Sequence, residues 1–314
     1  MAESKLMLDF APHLDFSQIL TNPILDIAAR FWDDDRYQAF RVCYRSMRRI
    51  DDLVDDRKSS AGPIDSREAA QLAGLINGWL GMVRRREPTD EYHTEFYDTL
   101  ERFDLPLWPW ERLGKAMIFD LTHNGFATFA EFLRYSEGAA VAPASIFMHL
   151  CGISNNGAGF RRPTYDIRLA ARRLAIFSYI VHILRDFEKD QKAGLNYFSD
   201  DIVTRHGLTH SEVRQVASGG EPTPSFRDLV CTYVRIGAYY QRRARRTIDS
   251  IKRYLEPRYQ LSLEIIYSLY TQIFERIEPA RGQFTALALA PSAGEVQTRI
   301  EETVARFVAL PLKP

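Results

Sequence analysis

The chain has 314 residues, with 41 Lys and Arg against 41 Asp and Glu, and 46% of its residues are hydrophobic. That length and apolar content suffice to bury a large core, which excludes a disordered chain. A formal net charge of zero argues against a protein that holds nucleic acid through its phosphates, although both signs can still be concentrated at one place. Cys43, Cys151 and Cys231 lie far apart in sequence, with neither metal spacing nor an even-numbered disulfide framework, which suits a reducing compartment. Residues Met1 to Phe10 do not read as a signal peptide. The longest nearly apolar stretch, Leu174 to Leu184, falls short of the roughly 20 residues that span a bilayer. The expectation is a cytoplasmic protein.

Taken in chain order, the hydrophobic spacing predicts helices over 16–31, 35–57, 66–86, 89–103, 107–122, 126–150, 165–192, 211–218, 224–254, 258–278 and 292–308. Breaks fall at 59–63, 155–157, 219–222 and 291–292, where Gly, Pro, Ser and Asn gather. No run alternates apolar and polar residues for long enough to make a strand, and no repeat period is visible. Residues 1–314 therefore read as a single all-α domain. The stretches Ala139 to Cys151 and Ala170 to Ile183 are apolar around much of their circumference, which places them inside a bundle. Pro143 should kink or break the first of them. Bundles of this kind build sites from polar side chains on facing inner helices.

Helix 35–57 ends in Arg48-Arg49-Ile50-Asp51-Asp52-Leu53-Val54-Asp55-Asp56. Asp51 and Asp55 are one turn apart on one face, with Arg48 and Tyr44 on the same stripe. Four acids near a helix C-terminus oppose the macrodipole, so a cation should compensate them. Helix 165–192 repeats the arrangement in Arg185-Asp186-Phe187-Glu188-Lys189-Asp190, with Tyr179 and His182 preceding the acids on their stripe. One such pair is usually a solvated face. Two pairs, each ending an apolar inner helix with arginine beside it, point to Mg²⁺ held between carboxylates and phosphate oxygens, with the arginines covering remaining oxygens. The chemistry this suits is ionisation of an allylic diphosphate.

Here the sequence resembles the squalene/phytoene synthase family of head-to-head prenyl transferases. Tyr44 through Asp55 is similar to that family's Y-x-x-C-R-x-x-D-D-x-x-D, and Ile183 through Asp190, followed by Gly194 and Tyr197, is similar to its second aspartate motif. Tyr135 through Ala140 is a weaker third match, and the resemblance covers roughly residues 20–285. It implies an isoprenoid synthase-type helical bundle with a central hydrophobic cavity. It further implies Mg²⁺ bound by Asp51, Asp55, Asp186 and Asp190, with Asp52 as an extra ligand. Two prenyl diphosphates would condense through a cyclopropylcarbinyl diphosphate to a squalene- or phytoene-type hydrocarbon. By the same resemblance, Tyr44, Arg48, Arg185 and Tyr197 would contact diphosphate or guide the intermediate, with Tyr135 on the substrate. Chain length, NADPH use and oligomeric state stay open.

The departures from the family pattern concern the surroundings of the aspartates. Tyr179 and His182 stand where the family has Gln and Asn, Lys189 where it has Glu, and Leu195 where it has Arg. Ile24-Leu25 replaces an early Ser-Phe, and Phe284 to Leu289 is apolar where many members carry basic residues. With Tyr179 and Lys189 beside the substrate and His182 as a candidate base, other acceptors stay open: cyclisation, hydrolysis to an alcohol, or prenylation of an aromatic molecule. A non-catalytic prenyl-lipid binder is the remaining class, disfavoured because unpaired inward acids are costly.

Other features carry less. His206 and His210 flank Gly207 in a turn and lack a further ligand. Asn156 to Arg161 resembles a shortened glycine loop, but no strand precedes it, so it reads as an interhelical turn. Arg242-Arg243-Ala244-Arg245-Arg246 suggests a solvated face or peripheral membrane contact. Tyr233, Tyr239, Tyr240, Tyr267, Tyr270 and Phe274 are expected in core packing or on a cavity wall. No nucleic-acid or protein partner is expected.

Overall fold

The computed structural model describes residues 23–60, 64–155, 157 and 159–313. The expected helix start at 16–22, the N-terminal segment Met1 to Phe10, the break at 61–63 and Asn156 of the glycine loop lie outside them. The chain folds as α1 (Ile24–Ala29), α2 (Asp34–Ser60), α3 (Ser66–Arg85), α4 (Glu91–Arg102), α5 (Trp108–Asp120) and α6 (Phe129–Ser136). A π turn (Glu137–Val141) leads into α7 (Ala142–Gly152), a short hairpin β1 (Ser154–Asn155) and β2 (Phe160–Arg161), α8 (Ile167–Arg185) and α9 (Phe187–Lys192). Then come α10 (Asp200–Arg205), α11 (His210–Ala217), α12 (Pro224–Ile251), α13 (Pro257–Glu275), α14 (Ala286–Leu289) and α15 (Ala293–Arg306). The all-α fold expected from the periodicity is the fold observed. No described helix is long and apolar enough to cross a membrane.

Local chemistry accounts for most boundaries. Asp65 caps α3 by accepting the amides of Arg67 and Glu68, and Asp166 caps α8 in the same way. Thr209 with Glu212 and Ser292 with Glu295 form capping boxes at α11 and α15. Helix α2 runs past residue 57 to Ser60, so Arg57 and Lys58 occupy its last turn, where the macrodipole favours cations. The acids at 51–56 therefore stand about a turn or more before the helix end.

Two long predicted helices are divided, each for a physical reason. The stretch 126–150 becomes α6, the π turn and α7. Pro143 has no amide to return to the previous turn, and the widened turn just before it makes room for its ring. Gly138 is required there, because a Cβ would collide with the Arg112 carbonyl oxygen of α5. The stretch 165–192 breaks at Asp186, which sits at φ −91°, ψ 7°. Successive residues of a regular helix do not face each other, yet Arg185 Nε and Nη2 each donate to the Asp186 carboxylate at 2.7 Å. That fork needs the local turn. The amide of Asp190 still bonds the Asp186 carbonyl at 2.9 Å, so the chain direction is kept.

Helices α10 and α14, of six and four residues, are too short to give a periodic signal. Of the glycine loop, Phe160 and Arg161 form β2, paired with β1, which precedes it contrary to expectation, and Gly157 and Gly159 stand between the two strands at φ 82° and φ 143°. Helix α8 lies at the centre of one continuous apolar core, between α7, α12 and α13. Gly237 lets α12 close on α13, since a Cβ there would stand 2.7 Å from the Phe274 ring. Two buried indoles are satisfied: Trp32 Nε1 donates to Ser262 Oγ at 2.7 Å and Trp110 Nε1 to Ser46 Oγ at 2.8 Å.

Candidate functional site

A cavity of about 470 Å³ lies between α2, α5, the π turn, α7, α8 and α13, within the roughly 300–1,000 Å³ typical of small-molecule sites. Its character changes along α8. Ala171, Leu174 and Ala175 line it first, then Ser178, Tyr179 and His182, then Arg185 and Asp186, with Asp190 following on α9. At about 1.5 Å per helical residue, the acids stand some 20 Å from Ala171. Ala139, Ala140 and Ala144, turned inward by the π turn and the start of α7, widen the apolar part, and Phe147 and Met148 help to close it.

Five carboxylates line the other end: Asp51 and Asp55 from α2, Asp120 at the end of α5, and Asp186 and Asp190 at the α8–α9 junction. Burial, then the neighbouring Asp55 carboxylate, pushes Asp51 up to about 7. Burial, then Asp186, does the same to Asp190, also up to about 7. Burial raises Asp55 as well. Asp186 moves the other way: burial opposes its ionisation, but the hydrogen bonds and charge of Arg185 outweigh that and hold it well below the usual carboxylate range. Asp51 has one arginine contact, from Arg48 Nη1 at 2.5 Å, and Arg48 also grips Asp52.

Burial pushes Asp120 up as well, to about 6, so four of the five acids at this mouth are raised and the protein's own cations do not fully offset them. Hard oxygen donors of that kind fit Mg²⁺, so the residues suit the metal. Among the described residues no three acidic, histidine or cysteine side chains form a ready-made metal cage. That agrees with an ion that takes one or two carboxylates and completes its shell with water and phosphate oxygens.

One wall carries a polar chain. Arg185 Nη2 donates to His182 Nδ1 at 2.7 Å, so that nitrogen is an acceptor and the imidazole is neutral with its proton on Nε2. His182 Nε2 then donates to the Tyr270 hydroxyl at 2.9 Å. Burial, assisted by the Arg185 charge, lowers the His182 pKa against the pull of Asp186, which agrees with the neutral form. One turn earlier on the same helix begins an aromatic group in which Tyr179 lies 6.2 Å from Tyr135 and 6.1 Å from Tyr197, and Phe126 lies 5.0 Å from Tyr135. The loop after α5 is strapped to the loop after α9 by the Asn196 amide on the Asn124 carbonyl at 2.6 Å. That strap holds Asp120, Tyr135 and Tyr197 together.

Tyr44, Arg48, Asp51, Asp55, Tyr135 and Tyr179 all reach the cavity, as do His182, Arg185, Asp186, Asp190 and Tyr197. Asp52 and Lys189 are not on its wall. Asp52 is held by Arg48, and Lys189 is exposed, although its charge is felt by Asp55 and Asp190. Asp120, Ser178 and Met47 also line the site. Asp120 had one legible signal, a lone acid closing the apolar run Met117-Ile118-Phe119. His206 and His210 turn to separate partners, Thr232 and Asp200, and form no pair. Of the aromatic series, Tyr270 lines the cavity, Tyr233 and Tyr240 are buried, and Tyr239 is exposed, contrary to the packing expected of it. In the basic run Arg245 is spent on Asp249 and Glu264.

The same arrangement of paired acids can be compared with known proteins. The phytoene synthase of Narcissus pseudonarcissus is 24% identical over 247 residues, 78% of this chain and 54% of that protein. The 15-cis-phytoene synthase of Synechococcus elongatus is 27% identical over 183 residues, 56% of each. The chain thus spans about half the length of the curated relatives it matches. Among solved structures, a dehydrosqualene synthase superposes with a TM-score of 0.69 at 15% identity, over 97% of this chain and 98% of that one. The squalene synthase HpnC from Alicyclobacillus acidocaldarius gives a TM-score of 0.64 at 16% identity, over 88% and 96%. Both share the fold. The sequence model of squalene/phytoene synthases matches residues 26–299, a span that holds every acid, arginine and tyrosine of the cavity mouth, and the chain belongs to that family.

Proposed function

We propose that this protein is a Mg²⁺-dependent prenyltransferase that condenses two prenyl diphosphates, farnesyl or geranylgeranyl, head to head. The product is a squalene- or phytoene-type hydrocarbon formed through a cyclopropylcarbinyl diphosphate. The observation that carries this is a single apolar cavity whose mouth gathers five carboxylates and two arginines from three parts of the chain. Asp51, Asp55, Asp186 and Asp190 are the residues that would hold Mg²⁺. When bound there, the metal supplies neutralisation of the charge that develops on a departing diphosphate. Arg48 and Arg185 orient diphosphate oxygens by charge-assisted hydrogen bonds. Asp52, outside the wall, is left to hold Arg48, and Lys189 adds a positive charge beside Asp190.

The apolar wall excludes water while an allylic cation exists. Tyr135, Tyr179 and Tyr197 offer ring faces to that cation, and Tyr44 lines the same cavity. No step is assigned to NADPH. Because the product is a hydrocarbon, the reading carries a cytoplasmic location with peripheral membrane contact.

One observation favours a second outcome of the same ionisation. Ser178, Tyr270 and His182 form a polar strip on the cavity wall, where a water could be held and capture the cation as an alcohol. Product mass spectrometry after incubation with each diphosphate and Mg²⁺ decides between them. A hydrocarbon of twice the substrate's chain length supports condensation. A prenyl alcohol of either size supports capture by water, and neither product with either substrate overturns both.

A further inference from the structure

Lys58 stands in the last turn of α2, beyond Asp55 on the same side of the helix. Its side chain is only 14% exposed, and its ammonium lies 3.9 Å from Asp120 Oδ1. The ammonium also donates to the His123 carbonyl oxygen at 3.0 Å. The second oxygen of that carboxylate, Asp120 Oδ2, accepts the Tyr135 hydroxyl at 2.5 Å. Asp120 and Tyr135 line the cavity, whereas Lys58 stands behind them. The carbonyl it bonds belongs to a residue anchored on α5: the His123 ring stacks on Phe119 with centroids 3.8 Å apart, and His123 Nδ1 lies 3.0 Å from the Phe119 carbonyl oxygen. Among the described residues Asp120 has no other ion pair. A carboxylate buried this deeply needs a cation to stay charged.

We propose that Lys58 is a positioning residue whose ammonium fixes the Asp120 carboxylate and, through it, the Tyr135 hydroxyl at the boundary between the acid mouth and the apolar cavity. A phenol whose proton is committed to a carboxylate keeps its oxygen electron-rich and its ring in one orientation. The functional part rests on the reading that an allylic cation forms in this cavity, where such a ring stabilises it. Lys58 thus acts on the cation through two other side chains and not on the diphosphate. Aromatic placement was legible in the sequence, but this cation behind it was not.

Lys58→Met and Lys58→Arg test the assignment, with thermal unfolding as the control for folding. The first readout needs no turnover: the resonance of ¹³C at tyrosine Cζ, assigned to Tyr135 with Tyr135→Phe. Lys58→Met should move that resonance, and Lys58→Arg should leave it in place. In turnover, Lys58→Met should lower kcat about tenfold with KM within about twofold, and Lys58→Arg should restore it. Asp120→Asn should act alike, and the double variant should add little. Affinity for inorganic pyrophosphate in Mg²⁺, measured by calorimetry, should not change. An unmoved Tyr135 resonance in Lys58→Met overturns the proposal. So does a large loss of pyrophosphate affinity at unchanged kcat, which would make Lys58 a diphosphate contact. If the wild-type protein releases no pyrophosphate from either prenyl diphosphate, the functional reading fails, and the resonance alone decides whether Lys58 positions Tyr135.

Discussion

Asp51 and Asp190 are pushed up to about 7 from an ordinary 3.8, so the folded protein retains protons that the unfolded chain has released. Between about pH 4 and 7 the native state therefore binds more protons, and stability falls as pH rises through that window. Asp186 works in the opposite sense, but its effect lies below the ordinary carboxylate range. The metal-free protein should accordingly show a lower Tm at pH 8 than at pH 5.5. Mg²⁺ competes with those protons, so adding it should raise Tm at pH 8 and do little at pH 5.5. Thermal scans with and without chelator check this. An equal Mg²⁺ effect at both pH values would contradict it. At the same scale, Tyr270→Phe removes the acceptor of the His182 Nε2 proton. If the polar strip holds water, that change should shift any alcohol product toward hydrocarbon, read by mass spectrometry.

At the scale of elements, the π turn is the feature with the sharpest consequence. Gly138→Ala would set a methyl group against the Arg112 carbonyl oxygen and the Ala116 side chain. Overpacking of that kind costs about 1–3 kcal/mol, and about 2–4 °C of Tm accompanies each kcal/mol in a chain somewhat smaller than this. A calorimetric scan should show a loss in that range, and an unchanged Tm would mean α5 and the π turn separate freely. The position of Pro143 made a helix interruption legible, but not its form, because a π turn depends on how α5 packs behind it. The two DxxxD spacings were legible as stripes, and so was the helix that carries Tyr179 and His182. The turn at Asp186 was not, since it follows from the Arg185 fork and not from local propensity. Asp120 and Lys58 escaped notice for a related reason: each becomes meaningful only when α2 and α5 end side by side.

At the scale of the molecule, the core and the site cavity share the same helices, with α8 contributing to both. Alanines at 139, 140, 144, 171 and 175 keep the cavity open where larger residues would have joined the core. Filling it should therefore cost function more than stability. Ala144→Leu should raise KM for the longer of two prenyl diphosphates by about tenfold or more, a change of some 1.4 kcal/mol in binding. A steady-state comparison of farnesyl and geranylgeranyl diphosphate would show it, and identical behaviour of the variant and the wild type would remove the cavity from the substrate path.

The central claim is that the acids at the cavity mouth drive diphosphate departure with the help of a divalent ion. The most direct measurement is pyrophosphate release during a Mg²⁺ titration, for the wild-type protein and for Asp51→Asn and Asp190→Asn. Saturable, Mg²⁺-dependent release is predicted, with each substitution lowering kcat by about 10²-fold or more while the fold is kept. Release that is absent with both prenyl diphosphates, or that survives both substitutions unchanged, would contradict it.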